Sequence, residues 1–68
     1  MKRTSRIESV NIRQHHLGVT GIVYSEGYVY AVRFAPNTAV TETLIRKLWR
    51  ESRRSFQPYN DSTDEIIY

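Results

Sequence analysis

Apolar and polar residues alternate in two adjacent segments, and this period of two predicts a β-hairpin. The segments Val19–Tyr24 and Tyr28–Phe34 are rich in β-branched and aromatic residues, which suit a pleated and half-buried surface. Gly27 lies between them and can supply the positive φ angle that a tight hairpin turn demands. If residues 26 and 27 form the loop, the pairing register of the two strands is fixed. The expected cross-strand pairs are Val23 with Tyr30, Gly21 with Val32 and Val19 with Phe34.

Both faces of the predicted hairpin are fairly apolar. One face carries Val19, Gly21, Val23, Tyr30, Val32 and Phe34. The other face carries Thr20, Ile22, Tyr24, Val29, Ala31 and Arg33. We expect a helix to cover the first face, because one helix is available to pack on the sheet. The second face would then stay partly exposed or meet another protein chain.

Weaker patterns extend the prediction on both sides of the hairpin. A period of two over Arg6–Arg13 predicts a first strand, followed by a loop at Gln14–Gly18. Pro36 ends the third strand, since proline has no N–H to donate to a central ladder. The residues Gln57–Ser62 are typical of a turn, and Thr63–Tyr68 is either a short closing strand or a loose tail.

Apolar residues at helical spacing predict an α-helix from Val40 to Arg54. Thr38 or Thr41 can cap its N-terminus, and Glu42 in the first turn complements the helix dipole. The apolar stripe comprises Val40, Leu44, Ile45, Leu48 and Trp49. The opposite side and the last turns carry Arg46, Lys47, Arg50, Arg53 and Arg54.

The expected fold is therefore α+β. It is a three-stranded antiparallel β-sheet followed by one C-terminal α-helix, in the order β-β-β-α, with a possible short terminal strand. A chain of 68 residues makes a single small domain. Within it we expect a basic N-terminal arm at residues 1–5 and an acidic C-terminal tail at residues 57–68.

The net charge of +3 hides two basic blocks. Residues 1–13 carry four cations against Glu8, and residues 46–54 carry five against Glu51, whereas residues 55–68 carry three acids and no cation. Basic blocks are typical of proteins that contact nucleic-acid phosphates. The candidate contacts are Arg46, Lys47, Arg50, Arg53, Arg54, Lys2, Arg3 and Arg6. An ordinary solvated helix face and contact with an acidic protein surface are the alternatives.

The aromatic residues of the hairpin have two interpretations. Tyr24, Tyr28, Tyr30 and Phe34 either form a platform on which unpaired bases stack or are ordinary sheet residues. The last three share the face that the helix is expected to cover, so core packing is the simpler interpretation for them. Tyr24 lies on the other face beside Arg33, and this pair is the candidate for an exposed contact.

No pattern in the sequence is typical of a catalytic or metal site. There is no cysteine, and zinc needs four convergent donors, so the adjacent His15 and His16 are interpreted as a solvated loop pair. No glycine-rich phosphate loop, carboxylate pair or Ser-His-Asp arrangement stands out, and we expect no enzymatic activity, no metal and no cofactor. We also expect no signal peptide and no membrane span, which favours the cytoplasm.

Three short stretches resemble the KTSC domain, a small β-β-β-α module. Ser9–Ile12 is similar to its early Ser/Asn-Ile strand, and Gly27–Tyr30 with the later Pro36 is similar to its Gly-x-Val-Tyr segment and proline. Ser52 and Phe56 resemble a Ser…Phe ending after its helix. The stretch between the first two motifs is shorter than in that family, and the helix is longer. The resemblance implies the β-β-β-α order and no catalytic residues.

Two functions follow as hypotheses. The first is a small basic accessory protein, of the kind carried by phages and mobile elements, that binds DNA or RNA through phosphate contacts. The second is a small protein-binding module or inhibitor that docks on an acidic surface of a host protein. An apolar second sheet face and an open sheet edge also allow a homodimer through the sheet.

Overall fold

The computed structural model describes residues 6–68, which form a five-stranded antiparallel sheet and one helix. The elements are β1 (Ser9–His15), β2 (Gly18–Ser25), β3 (Tyr28–Phe34), α1 (Glu42–Glu51), a 3₁₀ turn (Arg53–Ser55), β4 (Gln57–Asn60) and β5 (Glu65–Ile66). The strands lie in the sheet in the order β1-β2-β3-β4-β5. The α+β class is confirmed, and the three predicted strands and the helix are followed by two further short strands.

The central hairpin has the predicted register. Val23 lies opposite Tyr30, Gly21 opposite Val32 and Val19 opposite Phe34. Glu26 and Gly27 form the turn with φ angles of 50° and 84°. Two successive positive φ angles match the right-handed twist of the flanking strands, which is why a glycine at the second position favours this turn.

β1 is displaced along the chain from the predicted strand. It spans Ser9–His15 and not Arg6–Arg13, and Gln14 and His15 still pair with β2. The predicted loop at Gln14–Gly18 is therefore wrong, because the turn is only two residues long. A side chain at Gly18 would collide with the carbonyl oxygen of Phe34, so this close approach requires a glycine.

α1 is shorter than predicted and spans Glu42–Glu51. Thr41 is the N-cap, since its hydroxyl oxygen accepts a hydrogen bond from the Leu44 N–H at 3.2 Å. The helix ends where the Ser52 N–H bonds to the Leu48 carbonyl oxygen at 2.6 Å, and the chain turns into the 3₁₀ segment. No helix among residues 6–68 is long and apolar enough to cross a bilayer.

The main core lies between α1 and the sheet. Its buried members are Val23, Ile45, Trp49 and Phe56, packed against partly buried apolar residues of β1, β3 and α1. Ile45 lies directly over Gly21, where a Cβ atom would collide with its Cδ1 atom. The absence of a side chain at Gly21 therefore lets the helix approach the sheet closely.

The second face of the sheet is closed by the C-terminal strands. β4 pairs with β3, with Ala31 opposite Gln57, and this pairing continues the sheet beyond the central hairpin. Tyr59, only 6% exposed, packs with Ile22 and Ala31 in a second small core. The expectation of a partly exposed second face is therefore wrong there. The turn predicted at Gln57–Ser62 is also wrong for its first four residues, because burial of an aromatic side chain outweighs local turn propensity.

Candidate nucleic-acid interface

The five candidate cations of the helix region all face solvent. Arg46, Lys47, Arg50, Arg53 and Arg54 are exposed, whereas Ile45 and Trp49 on the opposite side of α1 are buried against the sheet. This division follows from the amphipathic pattern, since the apolar stripe docks on the sheet and leaves the cationic side outside. The structure therefore brings these five side chains together along α1 and the 3₁₀ turn.

Their charges are not equally available to a ligand. Arg46 pairs with Glu42 one turn earlier at 2.9 Å, which offsets its charge. Arg53 places its guanidinium carbon 4.4 Å from the centre of the Trp49 ring. Within residues 6–68, Lys47, Arg50 and Arg54 take part in no ion pair. These three, together with the stacked Arg53, are the cations that α1 and its turn offer to an anion.

The remaining predicted cations lie at the N-terminal side. Lys2 and Arg3 lie outside the described residues, as does the rest of the arm predicted at residues 1–5. Arg6 is exposed, and its carbonyl oxygen accepts a hydrogen bond from the Ser25 hydroxyl at 2.9 Å. That bond ties the start of the described chain to the end of β2, near the central hairpin turn.

Two acids of the C-terminal segment are engaged on the second face, away from α1. The carboxylates of Asp61 and Asp64 each lie 3.4 Å from the guanidinium of Arg13 on β1. The hydroxyl of Tyr59 donates to the Asp64 carboxylate and accepts from Arg13 at 3.0 Å. We call Arg13, Tyr59, Asp61 and Asp64 the Arg13 cluster. It neutralises a cation of the sheet and leaves the cations of the helix without these acids as partners.

The contacts within the Arg13 cluster shift the pKa values of Tyr59 and Asp64. Burial, followed by the bond to Asp64, raises the pKa of Tyr59 to about 12, so this phenol stays protonated. The hydrogen bond from Tyr59 lowers the pKa of Asp64, and the charge of Arg13 lowers it further against the opposing effect of burial. Tyr59 therefore stays a neutral hydrogen-bond donor and Asp64 a carboxylate over the ordinary pH range. The role of the cluster is to hold the last two strands on the sheet.

The pair predicted as an exposed contact, Tyr24 and Arg33, is half-buried. Tyr24 packs against the second core, and the Nε atom of Arg33 donates to the Thr20 hydroxyl oxygen at 2.9 Å. The exposed aromatic of the hairpin is instead Tyr28, at 66%, so the core interpretation is wrong for this residue. Its position supplies a signal in the sequence, since a strand residue directly after a hairpin turn lies near the tip, where a helix on the sheet need not reach.

Tyr28 belongs to a row of aromatic rings that leads to the helix. Its ring centre lies 6.5 Å from that of Tyr30, which lies 5.3 Å from that of Trp49. Phe56 contacts the same indole edge-on at 5.0 Å, and Arg53 stacks on it. We call Tyr28, Tyr30 and Trp49 the aromatic row. The aromatic row is exposed at Tyr28, and at its other end Arg53 lies over Trp49.

A shallow groove lies at the opposite end of the sheet, beside the turn between β1 and β2. It is lined by His15, His16, Leu17, Arg33, Asp64, Glu65, Ile66 and Tyr68. The two imidazole rings stack with their centres 4.3 Å apart, and the Nδ1 atom of His15 accepts from the Leu17 N–H at 3.1 Å. Among residues 6–68, no group of three histidine or acidic side chains is placed to hold a metal ion.

In comparisons with known proteins, no family model, no curated protein and no solved structure matches the chain. The resemblance to the KTSC domain therefore stays a prediction.

Proposed function

We propose that this protein binds nucleic acid through its phosphate groups, using the exposed side of α1 and the 3₁₀ turn. The observation that carries the proposal is the set of cations there, since Lys47, Arg50 and Arg54 are exposed and make no ion pair within residues 6–68. Residues three and four apart on a helix are neighbours on its surface. Lys47 and Arg50 follow that spacing, and Arg54 adds a third exposed cation from the 3₁₀ turn that follows the helix.

The distribution of acids supports this function. A net charge of +3 is modest for a nucleic-acid-binding protein, but the Arg13 cluster takes Asp61 and Asp64 to the second face. The potential over the helix therefore stays positive, and a phosphate chain approaching from that side meets mainly cations. Such a field attracts polyanions over about one Debye length.

The test is the salt dependence of binding. With about four phosphate contacts, one for each available cation, the logarithm of the binding constant should fall against the logarithm of salt concentration with a slope near −3 to −4. The double variant Lys47→Ala/Arg50→Ala should lower the magnitude of that slope by about 2. Fluorescence anisotropy of a labelled oligonucleotide, measured over a salt series, supplies the slope.

A matched control separates contact from net charge. The double variant Ser9→Glu/Ser62→Glu changes the net charge by the same amount, at two exposed positions outside α1 and the 3₁₀ turn. It should leave the salt slope within experimental error of the unmodified protein. Equal effects of the two double variants, or no binding to any duplex or single strand at low salt, would contradict the proposed function.

The second candidate is a module that docks on an acidic surface of a host protein. It has a structural observation in its favour, since β1 is an edge strand that pairs only with β2 within residues 6–68. An edge strand can accept a strand from another chain. Capture of partners with and without nuclease separates the two functions. A partner that survives nuclease treatment favours protein binding, and one that is lost favours nucleic acid.

A further inference from the structure

Tyr28 is exposed on the side of the sheet that carries the helix. It lies on β3 in alternation with Tyr30, which contacts Trp49 of α1, and side chains two residues apart on a strand share a face. Its hydroxyl makes no hydrogen bond with any residue of 6–68, and Tyr30 is its aromatic neighbour at 6.5 Å. Tyr28 thus offers a ring face and edge to solvent that the fold does not use.

The end of the helix points toward the same region. Ile45 lies over Gly21, which pairs with Val32, and one turn later Trp49 reaches Tyr30. α1 therefore advances along the sheet toward the turn of the central hairpin. Its C-terminal end is therefore the part of the helix nearer to Tyr28, to which it is linked through Trp49 and Tyr30.

Arg53 links the cationic end of α1 to the aromatic row that contains Tyr28. Its guanidinium stacks on Trp49 at 4.4 Å, the far end of the aromatic row from Tyr28. The N–H groups of a guanidinium lie in its own plane and point outward from its edge. A guanidinium placed over an aromatic ring can therefore still donate hydrogen bonds to phosphate oxygens. The aromatic row thus has an exposed ring at one end and a cation that can bind phosphate at the other. Proteins that bind single strands combine these two features.

We propose that Tyr28 stacks on an unpaired base while Arg50, Arg53 and Arg54 hold phosphates of the same strand, so that the preferred ligand is single-stranded nucleic acid. This inference rests on the proposed function and goes beyond it by choosing the class of nucleic acid. Phosphates are equally available in a duplex, but base faces are covered by their neighbours there. Only an unpaired strand can use both parts of the surface.

The experiment compares single and double strands of one length. The probes are a 15-nucleotide oligothymidine, a 15-nucleotide oligouridine and a 15-base-pair DNA duplex, each fluorescently labelled. Tyr28→Ala should weaken binding of both single strands roughly 5-fold or more and change duplex binding less than about 2-fold. The salt slope should stay the same, because no phosphate contact is removed.

Two further variants isolate the ring. Tyr28→Phe keeps the aromatic face and should bind single strands as the unmodified protein does. Tyr68→Ala removes another exposed tyrosine, 89% exposed and bordering the groove at the opposite end of the sheet, and should change nothing. Thermal unfolding of each variant checks that the fold is kept.

The outcomes distinguish this inference from the proposed function. If Lys47→Ala/Arg50→Ala weakens binding but Tyr28→Ala has no effect, or weakens single strands and duplex equally, the stacking role is overturned and phosphate binding stands. If the unmodified protein binds none of the three probes at low salt, both are overturned. A difference between the thymidine and uridine strands that survives Tyr28→Ala assigns the recognition of the 2′-hydroxyl or of the thymine methyl group to other residues. The loss that both strands share on Tyr28→Ala still supports the stacking role.

Discussion

Arg13 shows how one side chain organises a face that local pattern leaves undefined. It stands on β1, yet its partners Asp61 and Asp64 lie 48 and 51 residues later in the chain. Nothing in the alternation of β1 selects those two acids among the seven of the chain. The choice is made by Tyr59, whose burial on the second face brings the turn between β4 and β5 within reach of the guanidinium.

The carboxylate of Asp64 should make stability depend on pH. Its pKa is lowered in the folded protein, first by the bond from Tyr59, so its contribution is complete above the ordinary aspartate pKa of about 3.9 and is lost as pH falls through the lower folded value. Asp64→Asn should lower the free energy of unfolding by about 1 kcal/mol at pH 7, the low end for a charged hydrogen bond because the site is partly exposed. Below pH 3 the difference should shrink.

Urea unfolding at a series of pH values, followed by Trp49 fluorescence, measures this profile. Glu26→Gln is the control, because it removes an exposed carboxylate at the hairpin turn that makes no ion pair within residues 6–68. It should leave the profile unchanged. An Asp64→Asn profile parallel to that of the unmodified protein at every pH would contradict the role of this carboxylate.

At the scale of elements, the docking of α1 depends on the contact between Ile45 and Gly21. Gly21→Ala should lower the free energy of unfolding by about 1–3 kcal/mol, because the added methyl group collides with the Ile45 Cδ1 atom. Ile45→Val alone should cost about 0.5–1.5 kcal/mol. The valine removes the colliding atom, so the double variant should lose less than the two single changes together. Strict additivity in urea unfolding would show that the helix is not seated on Gly21.

The elements that sequence predicts well are those whose signals are local. The hairpin register follows from the period of two and from Gly27, and the buried side of α1 follows from its period. The helix ends earlier than its pattern suggests, and residues 50–55 contain no apolar side chain that would continue the stripe after Trp49. The next apolar residue, Phe56, reaches the core from beyond the 3₁₀ turn.

β4 and the exposure of Tyr28 depend on distant parts of the chain. The residues Gln57–Asn60 look like a turn by themselves and become a strand because Tyr59 fits against Ile22 and Ala31. Tyr28 is aromatic and alternates with Tyr30 on β3, as expected of a core residue. Its exposure is decided by how far α1 and the 3₁₀ turn extend over the sheet, which the alternation of β3 does not encode.

At the scale of the molecule, one segment has two effects. Residues 57–68 close the second face of the sheet, and they also place Asp61 and Asp64 on Arg13 instead of on the cations of α1. The fold thereby separates its charges, with the free cations on one side and two of its acids engaged on the other. A net charge near zero in the C-terminal half therefore coexists with a basic helix surface.

Deletion of residues 57–68 should abolish folding. Loss of the Tyr59 side chain alone is expected to cost about 3–5 kcal/mol, comparable to the entire stability of roughly 3–5 kcal/mol expected for a core of this size. The deletion also uncovers Ile22 and Ala31, both fully buried in the intact sheet. We expect loss of the cooperative thermal transition in circular dichroism, while deletion of the exposed Tyr68 alone should leave that transition within about 2 °C, since it removes little buried surface. If the truncated chain melted at the same temperature as the intact one, this prediction would be wrong. The C-terminal strands and the second core would then contribute nothing to the stability of the fold.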